Sequence, residues 1–285
     1  MNRNNSSMTI ADLKLQAEKN RRRLMEVIYS ARAGHTGGDL SVMNVLTALY
    51  FHVLNIDKDR LDDPGRDRFI LSKGHCVEAL FVVLEAKGIL SKAVLDTLGQ
   101  PYSVLAGHPT RDVPGIEICS GALGHGLSIG LGMALAAKMD NLSYRTFVVM
   151  GDGEQGEGSI YEAAMAAANY KLGNLVAVID RNRLQISGDT EDVMALESIA
   201  DKWTSFGWEV TEADGDDMAD IVARFDALDF SSTRPHLVIA NTTKGKGVSF
   251  MENVPKWHHG VPTAEQYALA IEEIDERIKK MENEK

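Results

Sequence analysis

The sequence predicts an α/β protein, a three-layer sandwich built on a mainly parallel sheet. Three observations carry that expectation. Apolar runs of strand length recur at 146–150, 175–180, 207–211 and 236–241. Segments of helical periodicity alternate with them, which places helices on both faces of a sheet. The stretch 146–182 reads strand, loop, helix, strand, loop, which is one parallel βαβ unit.

Taken in order, the polar start at 1–8 (MNRNNSSM) is expected to be a disordered tail. Helical periodicity follows over 9–32 and 41–54. The first of these carries the one basic cluster, Lys19 to Arg23, expected as a solvated helix face. Asp63, Pro64 and Gly65 supply turn chemistry. Helices are expected at 76–88, 91–97 and 124–139. The βαβ unit comes next, with its strand at 146–150 (TFVVM), helix at 159–171 and strand at 175–180. A helix at 195–205, a strand at 207–211, a helix at 217–228, a strand at 236–241 and a helix at 264–282 complete the chain. Residues 9–262 read as one domain, and 263–285 as a C-terminal helix.

At 285 residues and 44% hydrophobic content the chain can bury a substantial core. Its net charge of −11 argues against a nucleic-acid surface. No run of 18 apolar residues exists to span a membrane, and the start lacks an apolar signal core, so a cytoplasmic location is expected. Cys76 and Cys119 lack metal spacing and are expected to be buried free thiols.

The βαβ unit carries the chemistry. Both of its loops leave the same edge of the sheet, so Asp152 in Gly151-Asp152-Gly153 and Asn182, thirty residues on, are expected side by side at the strands' carboxyl ends. A carboxylate and an amide carbonyl are hard oxygen donors of the kind Mg²⁺ takes while sharing its shell with phosphates. Gly151 and Gly153 allow close backbone approach to a phosphate, and the helix beginning near Ser159 adds its positive end. The expectation is a Mg²⁺–diphosphate site.

Histidine placement adds a second signal. Four Gly-His dipeptides occur, at 34–35, 74–75, 107–108 and 124–125, where 25 glycines and 8 histidines in 285 residues give about 0.7 by chance. Glycine lets a loop bring an imidazole close to a ligand, and imidazole can donate, accept or shuttle a proton. TTKGKG (242–247) does not meet the nucleotide-binding G-x-x-x-x-G-K-[ST] pattern, so an ATPase reading is poor.

GDG followed about thirty residues later by Asn resembles the thiamin diphosphate motif, and GDGEQGEGS (151–159) with the text after it looks like transketolase. Six further segments have counterparts in that family in the same order: AGHTGGDLS (33–41), LSKGHCVEALF (71–81), AGHP (106–109), SGALGHGLSIGLGMALAAKM (120–139), TTKGKGVSFMEN (242–253) and WHHG (257–260). The resemblance extends over nearly the whole chain. It implies the thiamin-diphosphate-binding fold, in its diphosphate-binding domain.

It also implies roles. His35 and His258 would contact donor or acceptor oxygens, with His259 the alternate for His258, and His108 would lie near substrate hydroxyls. His75, Gly124, Gly151, Gly153 and Lys244 would lie at the cofactor, with Ile186 packed against its ring. Asp152, Asn182 and the Leu184 carbonyl would hold Mg²⁺, a place that Ca²⁺ or Mn²⁺ can take. Glu157 and Glu162 would reach across a subunit interface toward the partner's cofactor-activating glutamate. His125 stands where many relatives carry Gln; His52 and His236 are expected to be structural.

Full-length transketolases continue with a pyrimidine-binding domain and a third domain, and the family includes split forms. The resemblance therefore implies the N-terminal subunit of a split transketolase, acting on ketose and aldose substrates. It would be active only with a C-terminal-half partner, as an α₂β₂ heterotetramer. Two rival readings are a subunit of another split thiamin-dependent enzyme and a non-catalytic cofactor-binding subunit.

Overall fold

The computed structural model of the chain describes residues 8–284. The expected tail at 1–8 therefore lies, but for Met8, outside the described residues. The strands are β1 (Arg68–Leu71), β2 (Thr146–Gly151), β3 (Leu175–Arg181), the short β4 (Leu184–Gln185) and β5 (Gly188–Asp189), β6 (Glu209–Asp214) and β7 (His236–Asn241). The α-helices are α1 (Ile10–Ala31), α2 (Thr36–Ala48), α3 (Val77–Ala86), α4 (Lys92–Leu95), α5 (His125–Met139), α6 (Gly158–Asn169), α7 (Thr190–Val193), α8 (Ile199–Ser205), α9 (Met218–Asp226) and α10 (Ala264–Asn283).

Five strands form one sheet in the order β1-β2-β3-β7-β6, every neighbouring pair parallel. β4 and β5 form a separate antiparallel hairpin. Side chains alternate between two apolar cores. Phe147, Val149, Val176, Val178 and Val238 face one side with α1, α2, α3, α9 and α10. Val148, Met150, Ala177, Ile179 and Leu237 face the other with α5, α6 and α8. A strand buried on both faces must be apolar at every position, as these are. The result is the three-layer sandwich that the alternation of elements predicts.

Parallel register brings the carboxyl ends into one row. Gly151 pairs with Asp180, and Arg181 with Asn241. The loops after β1, β2, β3 and β7 therefore emerge together.

Several expectations need correction. β1 is absent from the expected strands, because RFIL is only four residues long and its apolar run reads as part of a loop. α2 starts at Thr36, five residues before the periodicity does, since its first turn, TGGD, lacks large apolar side chains. Arg21 is not on a solvated face: it is buried, with its guanidinium bonded to Glu18 at 2.8 Å and Asn44 at 2.9 Å. Arg22 and Arg23 pair with Asp275 at 2.7 Å and Glu85 at 2.8 Å. Cys76 is buried, but Cys119 is exposed.

α10 packs along α1. It begins with a capping box at Thr263 and Gln266, buries Ala270, Ile274 and Ile278, and stacks Tyr267 on Tyr29 at 4.2 Å. Among the described residues no helix is long and apolar enough to cross a membrane.

Candidate active site

The row of carboxyl ends encloses a cavity of about 410 Å³. Its lining comes from elements far apart in the chain: His35 before α2, Lys73 and His75 after β1, Asp152 after β2, Asn182 after β3 and Lys244 after β7.

Of the sequence-derived candidates, His35, His75, Gly151, Asp152, Gly153, Asn182, Leu184, Ile186, Lys244 and His258 line this cavity. His108 sits at its rim, exposed, with its ring 6.4 Å from that of His35. Gly121 makes this possible: at φ +148° it adopts a conformation that favours glycine, and a Cβ there would lie 2.9 Å from the His108 ring. His259 is exposed, yet its ring is 4.7 Å from His35. Gly124, the residue before α5, has φ +85° and packs against Glu157 and Ser159. Glu157 and Glu162 lie outside the cavity, exposed around the start of α6. His125 is exposed; His52 pairs with Asp226 at 2.9 Å and His236 with Glu209 at 3.3 Å.

Asp152 and Asn182 form part of the floor and are buried, not on an open edge. Asp152 accepts the Gly153 N–H at 2.8 Å and the Arg183 N–H at 2.6 Å, with the Arg181 guanidinium 3.3 Å away. Burial and the neighbouring Asp180 push its carboxyl above the usual carboxylate range. A cation at such a carboxylate restores the charged form. Asn182 Oδ1 accepts the Leu184 N–H at 3.1 Å. Among the described residues no three His, Cys, Asp or Glu side chains converge on a metal. A cation here would take the Asp152 carboxylate, the Asn182 amide oxygen and the Leu184 carbonyl, and complete its shell with ligand oxygens. That is the hard, incomplete donor set suited to Mg²⁺ with a phosphate.

The opposite wall is cationic. Lys244 is buried, and its ammonium donates to the Leu184 carbonyl at 2.8 Å and lies 2.9 Å from His258 Nδ1. Both partners are neutral, so its charge remains free to attract an anion. Burial and the nearby Lys73 lower it to about 8. Burial and surrounding cationic groups also hold His35 down at about 4 and His258 at about 3, and lower His75 further. The three imidazoles are neutral hydrogen-bonding groups near pH 7. His35 and His75 meet at 5.2 Å between ring centroids, and His75 stacks on His258 at 5.4 Å.

Four further residues support the site and escape sequence reasoning. Lys73 and Asp180 form a fully buried ion pair beneath the floor, and Asp180 also accepts from Ser41 at 2.6 Å and from Thr242. Glu154 accepts from Ser72, from the Gly124 N–H at 2.8 Å and from the Gly151 N–H at 3.0 Å, tying three loops together. Arg181 anchors the loop after β5 through Glu191 at 2.8 Å and Glu197 at 2.9 Å. A lysine right after an apolar run and an aspartate closing another are the available signals; their pairing is not, because 107 residues separate them.

Fold and site together define a class: an α/β protein with an anion-attracting, histidine-lined cavity at the carboxyl edge of its parallel sheet. Comparison with known proteins narrows it. The family described as transketolase, thiamine diphosphate binding domain, matches residues 14–276. One of the two apulose-4-phosphate transketolase subunits of Phocaeicola vulgatus is 64% identical over 277 residues, covering 97% of this chain and 99% of that one. The 6-deoxy-6-sulfo-D-fructose transketolase subunit SqwG of a Clostridium species is 40% identical, covering 93% and 96%. The transketolase of Campylobacter jejuni superposes with a TM-score of 0.84 at 28% identity, covering 97% of this chain but 48% of that structure's chain. This chain belongs to the transketolase family and is a transketolase-type enzyme chain carrying the thiamine diphosphate-binding part.

Proposed function

We propose that this chain is the cofactor-binding subunit of a split, cytoplasmic transketolase. It transfers a two-carbon ketol unit from an anionic ketose to an aldose once joined to a partner carrying the pyrimidine-binding part. The observation that carries the reading is the single cavity in which Asp152, Asn182 and Leu184 oxygens face Lys244 and the neutral imidazoles of His35, His75 and His258. Domain 9–262 and the helix after it work as one unit.

When bound, thiamin diphosphate supplies the carbon nucleophile that breaks the ketose C–C bond. The chain's own residues do the binding and proton handling. Asp152, Asn182 and the Leu184 carbonyl hold Mg²⁺, while Lys244 and His75 face the diphosphate. Gly151 and Gly153 keep the backbone close to it, with Gly124 shaping the adjoining turn. Ile186, 76% exposed, is proposed to pack against the cofactor ring. His35 and His258 take or return a proton at sugar oxygens, and His108 at the rim hydrogen-bonds a hydroxyl further out. Glu157 and Glu162 face the partner.

The two similar relatives that are themselves transketolase subunits are named for sugars bearing a phosphate or a sulfonate, which supports an anionic ketose. The test is a mixture of this chain with its purified partner, assayed on a ketose panel led by apulose-4-phosphate and 6-deoxy-6-sulfo-D-fructose. Ketol transfer by the mixture and by neither chain alone is expected. Turnover of a 2-oxo acid in place of every ketose would overturn the reading in favour of another thiamin-dependent reaction. Cofactor binding with no turnover would leave a non-catalytic subunit.

A further inference from the structure

Two buried carboxyl groups beneath the cavity have no part in the roles above. Asp39 is in the first turn of α2, four residues after His35; Glu78 is in the first turn of α3, three residues after His75. They are 0% and 2% exposed. Asp39 Oδ1 accepts the Ala79 N–H at 3.0 Å, which ties α2 to α3 directly. The two carboxyl groups meet. One oxygen of each, Asp39 Oδ2 and Glu78 Oε2, is buried with no hydrogen-bond partner. An ionised carboxyl only accepts, so two facing carboxylates would leave both oxygens orphaned and two negative charges in contact. One proton between them satisfies both atoms.

We propose that Asp39 and Glu78 share one buried proton, and that this acid–carboxylate pair fixes the first turns of α2 and α3 and thereby positions His35 and His75. The positioning role rests on the functional reading above; the proton does not. The charged surroundings accord with a single negative charge. Lys73 is the neighbouring cation, but it is bonded to Asp180 and the Gly38 carbonyl. Burial keeps the Cys76 thiol protonated. The His35 backbone N–H lies against the Asp39 carboxyl. Two helix N-termini favour one negative charge here. Asp39, which takes the Ala79 N–H, is the carboxylate; Glu78 is the acid. Burial raises Asp39 to about 7, and burial with Asp39 beside it raises Glu78 to about 9.

The sign of the pH effect follows. The folded chain keeps a proton that the unfolded chain releases above the ordinary glutamate range. Stability is therefore full at acid pH and falls as pH rises toward about 9, by up to about tenfold in the folding constant per pH unit. Glu78→Gln replaces the acid by an amide that still donates to Asp39 but cannot ionise. We expect denaturation curves of wild type and Glu78→Gln to diverge by that amount across pH 5 to 9. We also expect the infrared band of a protonated carboxylic acid at pH 7 in wild type and its loss in the variant. Parallel stability curves, or no such band in wild type, would overturn the shared proton. For positioning, the His35 and His75 ring resonances should hold in Glu78→Gln and move in Asp39→Asn, which cannot replace a carboxylate; unmoved resonances in both would overturn that role. Both readouts use this chain without turnover, so a failed ketose assay beside diverging curves would count against the functional reading alone.

Discussion

Lys244 sits buried between the Leu184 carbonyl and His258, and this placement sets the cavity's preference for an anion. Asp152 and Asn182 across from it are the side chains that distinguish a metal–diphosphate site from a plain anion pocket. Asp152→Ala and Asn182→Ala each remove one of the few protein oxygens open to a metal. Each is expected to abolish Mg²⁺-dependent thiamin diphosphate binding in the assembled enzyme, as read by calorimetric titration. Unchanged affinity in both would sink the metal assignment. His35→Ala and His258→Ala act on the sugar and not on the diphosphate. Cofactor affinity should hold while kcat falls by about 10²–10⁴, the range for a proton-transfer group. WHHG leaves two candidates open in the sequence. His258 lines the cavity and contacts Lys244, while His259 is exposed beside His35. A larger loss in His259→Ala than in His258→Ala would reverse their roles.

Glycines decide how closely elements approach. α5 lies against the sheet through Gly126 and Gly130. A Cβ on Gly130 would lie 2.5 Å from Val148 Cγ2, and one on Gly126 would lie 2.4 Å from Ser72 Cβ. Gly130→Val is therefore expected to cost about 1–3 kcal/mol by overpacking, measured by chemical denaturation. A cost under ~0.5 kcal/mol would mean that α5 can lift from β2. The helix α2 makes a related point. His35 precedes its first residue, and Thr36 Oγ1 donates to the Gly260 carbonyl at 2.6 Å, so the helix start is held beside WHHG. Periodicity could not locate that start, because two glycines occupy its first turn. β1 is illegible for a different reason: a four-residue strand is too short to show a period and is defined only by its pairing with β2.

On the molecular scale, the α5–α6 side of the sheet leaves apolar surface uncovered. Met139 is 73% exposed, Met165 53% and Ile129 39%. Glu157 and Glu162 stand near the same helices. Scattered exposed apolar residues are ordinary, but three large ones on two packed helices accord with a face covered in an assembly. Obligate interfaces commonly bury more than about 2,000 Å². The chain with its partner is expected to sediment as an α₂β₂ particle and to unfold at higher temperature than the chain alone. A pair that elutes as separate chains at micromolar concentration would count against the split-enzyme assembly.

Sequence by itself determined the layered α/β architecture, because a parallel sheet buried on both faces demands apolar strands at every position, and 146–150, 175–180 and 236–241 supply them. It also determined the composition of the cavity wall, since glycine-histidine pairs and the GDG–Asn spacing belong to local loops whose chemistry is written in neighbouring residues. Tertiary structure alone decided what lies beneath that wall. Lys73 meets Asp180, Glu154 meets Gly124, and Asp39 meets Glu78 only after strands and helices far apart in the chain have packed. A single sequence marks each of these as one more charged residue. Their charges acquire partners only when burial removes water and makes an unpaired charge costly.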